Sequence, residues 1–261
     1  MHSITKNKLK EFSSLKHSKI RDERGLFLVE GVKMVKEAIN SRYEVLAVCG
    51  LETFWKDYSD DTNYREIDFY VVSDKELRSL SHMTTPNQVV AVLKQHRWSL
   101  PSLSSETELV LALESVRNPG NLGTILRIAD WFGIHNVFCS LDTVEVYNPK
   151  TIQATMGSFF RVNTFYVDLL QEIDILKHHH RMMVFGLALQ GESIYSASLP
   201  SRGVILVGNE SKGLSSEILK KVDNPLLIPA YTGNHAESLN AAVATAIACS
   251  EFRRGLIVSS R

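Results

Sequence analysis

LVLALESVRNPGNLGTILRIADWFG, residues 109–133, decides the fold of this chain. Leu109 to Leu113 is a short unbroken apolar run bounded by polar residues, the pattern of a strand buried on both faces. Pro119-Gly120 then turns the chain. From Leu122 to Phe132 the residues Leu122, Ile125, Leu126, Ala129 and Phe132 fall on one stripe of a helix. Arg127 projects nearly opposite that stripe, where it is either solvated or reaches into a site. Asn121 stands at the helix start, where an asparagine serves as a cap or as a site residue. The same alternation continues downstream. Strands are expected at Asn136–Cys139, Asn163–Tyr166, Met183–Leu187, Gly203–Val207 and Leu226–Ile228. Helices are expected around Lys150–Phe159, Glu172–His179, Ser215–Lys221 and Leu239–Arg254. Strands alternating with helices imply an α/β fold with a mostly parallel sheet.

Upstream lies a smaller α/β pattern. The spacing of Leu9, Phe12, Leu15 and Ile20 predicts a helix over Lys6–Arg24, broken by Gly25. Strands at Leu26–Val29, Val45–Val48, Phe69–Val72 and Gln88–Leu93 alternate with helices at Gly31–Ile39 and Asp74–Leu80, the latter capped by Ser73. Residues 98–108, WSLPSLSSETE, are serine-rich, carry Pro101 and show no periodicity, so they read as a linker. The division expected is therefore 1–97, linker 98–108, and 109–261.

Composition narrows the function classes. With 261 residues, 44% hydrophobic and 22% charged, the chain has the make-up of a globular protein. Cys49, Cys139 and Cys249 are far apart and form no CxxC, so neither a zinc site nor a disulfide framework is expected. The internal His178-His179-His180 run does not share a helix face and is a poor metal cluster. No run of about 18 apolar residues is present, and the polar start lacks the apolar region of a secretory signal. These features lead to an expectation of a cytoplasmic protein. The 29 basic residues balance 29 acidic ones, but unevenly. Lys6, Lys8, Lys10, Lys16, Lys19, Arg21, Arg24, Lys33 and Lys36 crowd the N-terminus, while Glu52, Asp57, Asp60, Asp61, Glu66 and Asp68 follow. A basic segment of this kind either neutralises phosphates or simply keeps a helix face soluble.

Dinucleotide (GxGxxG), P-loop, GxSxG and HExxH patterns are all missing, which removes the main support for those chemistries. Two further strand-to-helix turns stand out instead. GVILVGNESKGL, residues 203–214, runs an apolar strand into Gly208-Asn209-Glu210, at the strand end where open α/β sheets bind ligands. LIPAYTGNHAESLNAAVATAI, residues 227–247, stops a strand at Pro229, turns through Gly233, and opens an alanine-rich helix at Ser238-Leu239-Asn240.

NPGNLGTILRIADWFG, ILVGNESKGLS and IP…ESLNAAVATAIACSEFRR, in this order, resemble the three motifs of the SpoU (TrmH-like) family of RNA ribose 2′-O-methyltransferases. ITKNKLKEFSSLKHSKIRDERGLFLVEGVKMVKEAI resembles the small ribosomal-protein-like substrate-binding domain that precedes many such catalytic domains. The resemblance implies a deep trefoil knot, a homodimer whose interface helps to form the site, and S-adenosylmethionine (AdoMet) as methyl donor, with no metal. By motif position it implies AdoMet contacts at Gly208, Ile228 and Leu239, with Glu210 and Ser238 nearby. It makes Asn121, Arg127, Glu210 and Asn240 the polar active-site residues. The turn from Pro229 to Ser238 is longer than in many members. A ribosomal or transfer RNA is the implied partner, gripped at Lys6, Lys8 and Lys10 and met at the site by Arg127. Because the 2′-hydroxyl separates RNA from DNA, DNA is not an expected substrate. Two alternatives fit the same motifs: a non-catalytic RNA-binding factor on this fold, and an enzyme that methylates the RNA base.

Overall fold

Arg21 explains the first departure from the sequence reading. The computed structural model describes residues 2–57, 67–96, 98–103, 108–231 and 237–259. Within them the single helix expected over Lys6–Arg24 is two helices, α1 (Lys6–Ser14) and α2 (Ser18–Arg24). The buried Arg21 donates through Nη1 to the carbonyls of Leu15 (3.1 Å) and Lys16 (3.0 Å). It thereby satisfies acceptors that a continuing helix would have bonded. Gly25 closes α2 in the left-handed region, at φ 63°.

Contacts divide the chain into two units, one of residues 1–97 with 147–160, the other of 98–146 with 161–261. The first unit holds β1 (His2–Ser3), β2 (Leu26–Glu30), β3 (Val45–Gly50), β4 (Asp68–Val71) and β5 (Val89–Lys94), ordered β1-β4-β3-β5-β2. The β5 strand runs antiparallel to both β2 and β3. Helices α3 (Val32–Ile39), α4 (Glu52–Asp57) and α5 (Asp74–Leu80) complete it. Ser73 caps α5 in a capping box with Glu76. Of the acidic stretch, Asp60, Asp61 and Glu66 lie outside the described residues, as do 104–107 of the linker.

Residues 147–160 differ from the sequence reading, which put them with the second half. They form α7 (Pro149–Thr155) and a 3-10 turn (Ser158–Phe160), and they pack into the first unit. Phe159 meets Phe27 and Tyr43 edge to face at 5.9 and 5.6 Å. The Tyr147 hydroxyl donates to the His96 carbonyl at 2.9 Å and accepts from the His96 amide at 2.8 Å. Aromatic side chains bury large apolar areas, so this cluster carries the attachment.

The second unit is a six-stranded sheet, parallel in every pairing. Its strands are β6 (Leu109–Leu113), β7 (Asn136–Ser140), β8 (Asn163–Val167), β9 (Val184–Ser193), β10 (Gly203–Val207) and β11 (Asn224–Leu227), ordered β11-β9-β10-β6-β7-β8. All five residues of β6 and all five of β10 are buried, which is why both read as unbroken apolar runs. Helices α6 (Pro119–Trp131), α8 (Leu169–His178), α9 (Ser216–Leu219) and α10 (Ala241–Ser259) cover the sheet.

Two features of this sheet position the site. The strand order reverses at β6, with β7 on one side and β10 on the other, and ligands settle at the carboxyl ends of strands beside such a reversal. Strand β9 also runs past its expected end at Leu187. Its pairing with β11 jumps from Gly186 opposite Pro225 to Glu192 opposite Leu226. Residues 187–191 are thereby pushed out of the ladder to form a wall at that edge.

Candidate active site

Asn118, not Asn121, caps α6. Its Oδ1 accepts from the amides of Gly120 (2.8 Å) and Asn121 (3.3 Å). The signal was present in the sequence, because proline favours the first helical position and Pro119 puts the cap one residue earlier. With capping done by Asn118, the Asn121 side chain is released. Its Nδ2 donates to Glu210 Oε1 at 2.7 Å, and its Oδ1 accepts from Asn240 Nδ2 at 3.0 Å. Asn240 is itself the cap of α10, accepting on Oδ1 from the amides of Ala242 (2.9 Å) and Val243 (3.4 Å).

This arrangement fixes the direction of every bond in the chain. Asn240 Oδ1 is committed to backbone amides, so its Nδ2 must donate to Asn121 Oδ1. Asn121 Nδ2 then donates to Glu210. Asn209 is pinned in the same way: its Oδ1 accepts from the amides of Ser211 (3.1 Å) and Lys212 (3.2 Å). Its Nδ2 therefore donates to the Ser115 carbonyl (2.8 Å) and to Glu210 Oε2 (3.3 Å). Glu210 accepts on both oxygens, the hydrogen-bonding pattern of a carboxylate. The sequence reading found Asn121, Glu210 and Asn240. It missed Asn118, Asn209 and Ser115, and for the last two no local pattern exists, since Asn209 and Ser115 are 94 residues apart.

Beside Glu210 lies a cavity of about 700 Å³, within the usual range for small-molecule sites. Gly208, Glu210, Ile228, Ser238 and Leu239, all five candidates for holding a cofactor, line it. The wall of residues 187–191 and the small Ala241 and Ala244 complete it. Gly208 is required for its shape. A Cβ there would stand 2.2 Å from the carbonyl carbon of Gly213 and 2.4 Å from the amide of Leu214. That close approach lets Asn209 and Gly213 exchange two backbone hydrogen bonds, 3.1 and 2.9 Å, and close the turn that carries Glu210. Among the described residues, Glu210 and Lys212 are the only charged ones in the lining.

Arg127 is not brought to this cavity. It is exposed on α6, makes no hydrogen bond or ion pair with a described residue, and stands six residues beyond Asn121, a rise of about 9 Å. The three lysines also separate. Lys6 and Lys10 are exposed on one face of α1, whereas Lys8 points to another, paired with Glu11 at 3.5 Å and lying over the Phe12 ring at 5.4 Å. Residues 232–236 of the longer turn, Gly233 among them, lie outside the described residues. Among the described residues no group of three or more His, Cys, Asp or Glu could hold a metal ion, and no helix is long and apolar enough to cross a membrane. The three cysteines are buried free thiols, and burial raises those of Cys49 and Cys249 to about 12.

Comparison with known proteins converges on the same chemistry. Residues 6–91 match the MRM3-like substrate binding domain. The 23S rRNA (guanosine(2553)-2′-O)-methyltransferase RlmP of Bacillus subtilis is 32% identical over 250 residues, covering 95% of this chain and 96% of that protein. A TrmH-family structure from Porphyromonas gingivalis superposes with a TM-score of 0.84 at 34% identity, covering 97% and 99% of the two chains. The AdoMet-bound rRNA methyltransferase of Sinorhizobium meliloti superposes with a TM-score of 0.83 at 30% identity, covering 98% and 97%. Residues 108–250 match the SpoU rRNA Methylase family, and to that family the chain belongs.

Proposed function

We propose that the chain transfers the methyl group of AdoMet to a ribose 2′-hydroxyl of ribosomal RNA. The observation that carries this is the juxtaposition of the cavity with the Asn240–Asn121–Glu210 chain at the sheet's reversal point. Apolar walls from Leu187, Leu226 and Leu239 suit an adenosyl group. Gly208 lines the cavity with main-chain atoms alone, and Ile228 lines it too, which suits a ligand held largely by main-chain groups. When bound, AdoMet supplies a methyl carbon on a sulfonium, open to in-line attack.

The protein's residues do the rest. Glu210, Asn121 and Asn240 hold the 208–214 turn and the start of α10 against α6, which fixes the cavity mouth and aligns the reactants. Arg127 binds the phosphate next to the target ribose and stabilises charge developing on the 2′-oxygen. A guanidinium holds its proton tightly and is a poor base, so the hydroxyl proton passes to an oxygen of that phosphate. A homodimer suits the position of Arg127: Trp131 on α6, Val243 on α10 and Leu239 just before α10 are also exposed, and a second copy seated there completes the site. The trefoil knot belongs to the same reading, with the bulged part of β9 and the loops after β10 and β11 converging on one cavity. The cytoplasm is where such an enzyme meets its RNA.

The first unit captures the RNA. Lys6→Ala with Lys10→Ala is expected to weaken RNA binding about tenfold at low salt and to lower the salt slope by about two. Lys8→Ala, already paired, should change it far less. Filter binding across a salt series checks both, and equal effects at all three lysines would refute the assignment. The reaction itself is tested by mapping 2′-O-methyl groups in total RNA with and without the gene. Loss of one ribosomal site is expected. A lost base methylation, or no lost mark, would overturn the reading.

A further inference from the structure

Ser115 is one of only four non-glycine residues among those described with a positive φ, at 54°. It occupies the carboxyl end of β6, where its carbonyl accepts from Asn209. A serine held in the left-handed region persists only where its surroundings enforce it, and here the enforcement is visible. Ser115 Oγ donates to Asp142 Oδ2 at 2.6 Å, and the Ser115 amide donates to Ser140 Oγ at 2.8 Å. Ser140 Oγ in turn donates to Asp142 Oδ1 at 2.7 Å, and Arg117 Nη2 meets Asp142 Oδ2 at 3.2 Å. Both carboxylate oxygens of Asp142 thus hold one strained residue. The Ser115 and Ser140 hydroxyls, aided by Arg117, lower the Asp142 carboxyl to about 2, so it is ionised throughout the working range.

Followed outward, the bonds are continuous. Asp142 holds Ser115, whose carbonyl takes the amide of Asn209, and that amide also reaches Glu210 Oε2. Glu210 then receives Asn121, and Asn121 receives Asn240. We infer that Asp142 is a positioning residue for methyl transfer, setting the orientation of Glu210 through Ser115 and Asn209. It lines no part of the cavity. Nothing in the motifs marks it, since Asp142 falls in the loop after β7, beyond the first motif. The inference rests on the function proposed above.

The test is a double-mutant cycle on the full chain. AdoMet and undermethylated 23S rRNA from cells lacking the gene, both saturating, are used for single-turnover transfer. Asp142→Asn keeps the shape but offers an amide where Ser115 needs an acceptor. It is expected to slow transfer about tenfold, the effect of one hydrogen bond to a charged group, while AdoMet affinity stays within about twofold. Ser115→Gly removes the hydroxyl yet tolerates the same φ, and should slow transfer comparably. In the Ser115→Gly background, Asp142→Asn should lose most of its effect. Wild-type rates in Asp142→Asn, or independent effects in the double variant, would overturn the inference. So would a rate loss matched by an equal loss of AdoMet affinity. Should Asp142→Asn not fold, Ser115→Gly with normal transfer overturns it alone. Absence of transfer by the wild-type chain would instead defeat the proposed function.

Discussion

Arg127→Ala is expected to slow single-turnover methyl transfer about 10²–10³-fold at saturating RNA and AdoMet, the range for removing one preorganised group aimed at developing charge. AdoMet affinity should stay within about twofold, because Arg127 does not line the cavity. The two readouts separate the roles a guanidinium can play here. A residue that merely shaped the AdoMet site would lose affinity along with rate. A residue that bound RNA in the ground state alone would raise KM and recover at saturation. Arg127→Lys keeps the charge and loses the two-pronged geometry, so its rate should fall between the other two. Near-normal turnover of Arg127→Ala would remove the residue from the chemistry.

Gly208→Ala should have an effect of similar size on the other substrate. A Cβ at 208 would stand within 2.2–2.5 Å of Gly213 and Leu214 main-chain atoms, so the 209–213 turn must move. Overpacking of this kind costs about 1–3 kcal/mol, so AdoMet affinity should fall by up to about 100-fold. Calorimetric titration with AdoMet measures it. Gly213→Ala supplies the comparison, since that glycine has φ 69° but nothing within 4 Å of an added Cβ. Its cost is conformational, about 1–2 kcal/mol, with no collision. Equal affinities for Gly208→Ala and the wild type would mean that the turn does not shape the AdoMet site.

The sequence made the parallel sheet readable because its inner strands are buried on both faces. Leu109–Leu113 and Gly203–Val207 match their expected bounds residue for residue. Where burial is partial, bounds drifted. β9 runs six residues beyond Leu187, because its continuation pairs with β11 across an irregular register that no local periodicity encodes. The helix start near Asn121 was readable but misassigned, two asparagines competing for one cap. Asn121, Glu210 and Asn240 could be picked out as polar exceptions beside apolar runs. Their union could not, for it depends on three elements separated by 89 and 119 residues. Asp142 was invisible for the same reason, as its partners Ser115 and Arg117 lie at least 25 residues away.

The excursion of residues 147–160 has a consequence for inheritance. Their partners Phe27, Tyr43 and His96 belong to a different stretch of gene, so the N-terminal module is not a bead that recombination can exchange at one junction. A donor sequence spliced in at residue 97 would meet a foreign α7 and the wrong aromatic socket for Phe159. Substitutions at Phe27 and Phe159 are therefore constrained to drift together, and a minimal catalytic fragment cut at residue 98 would have to be redesigned between Tyr147 and Phe160 before it could stay in solution.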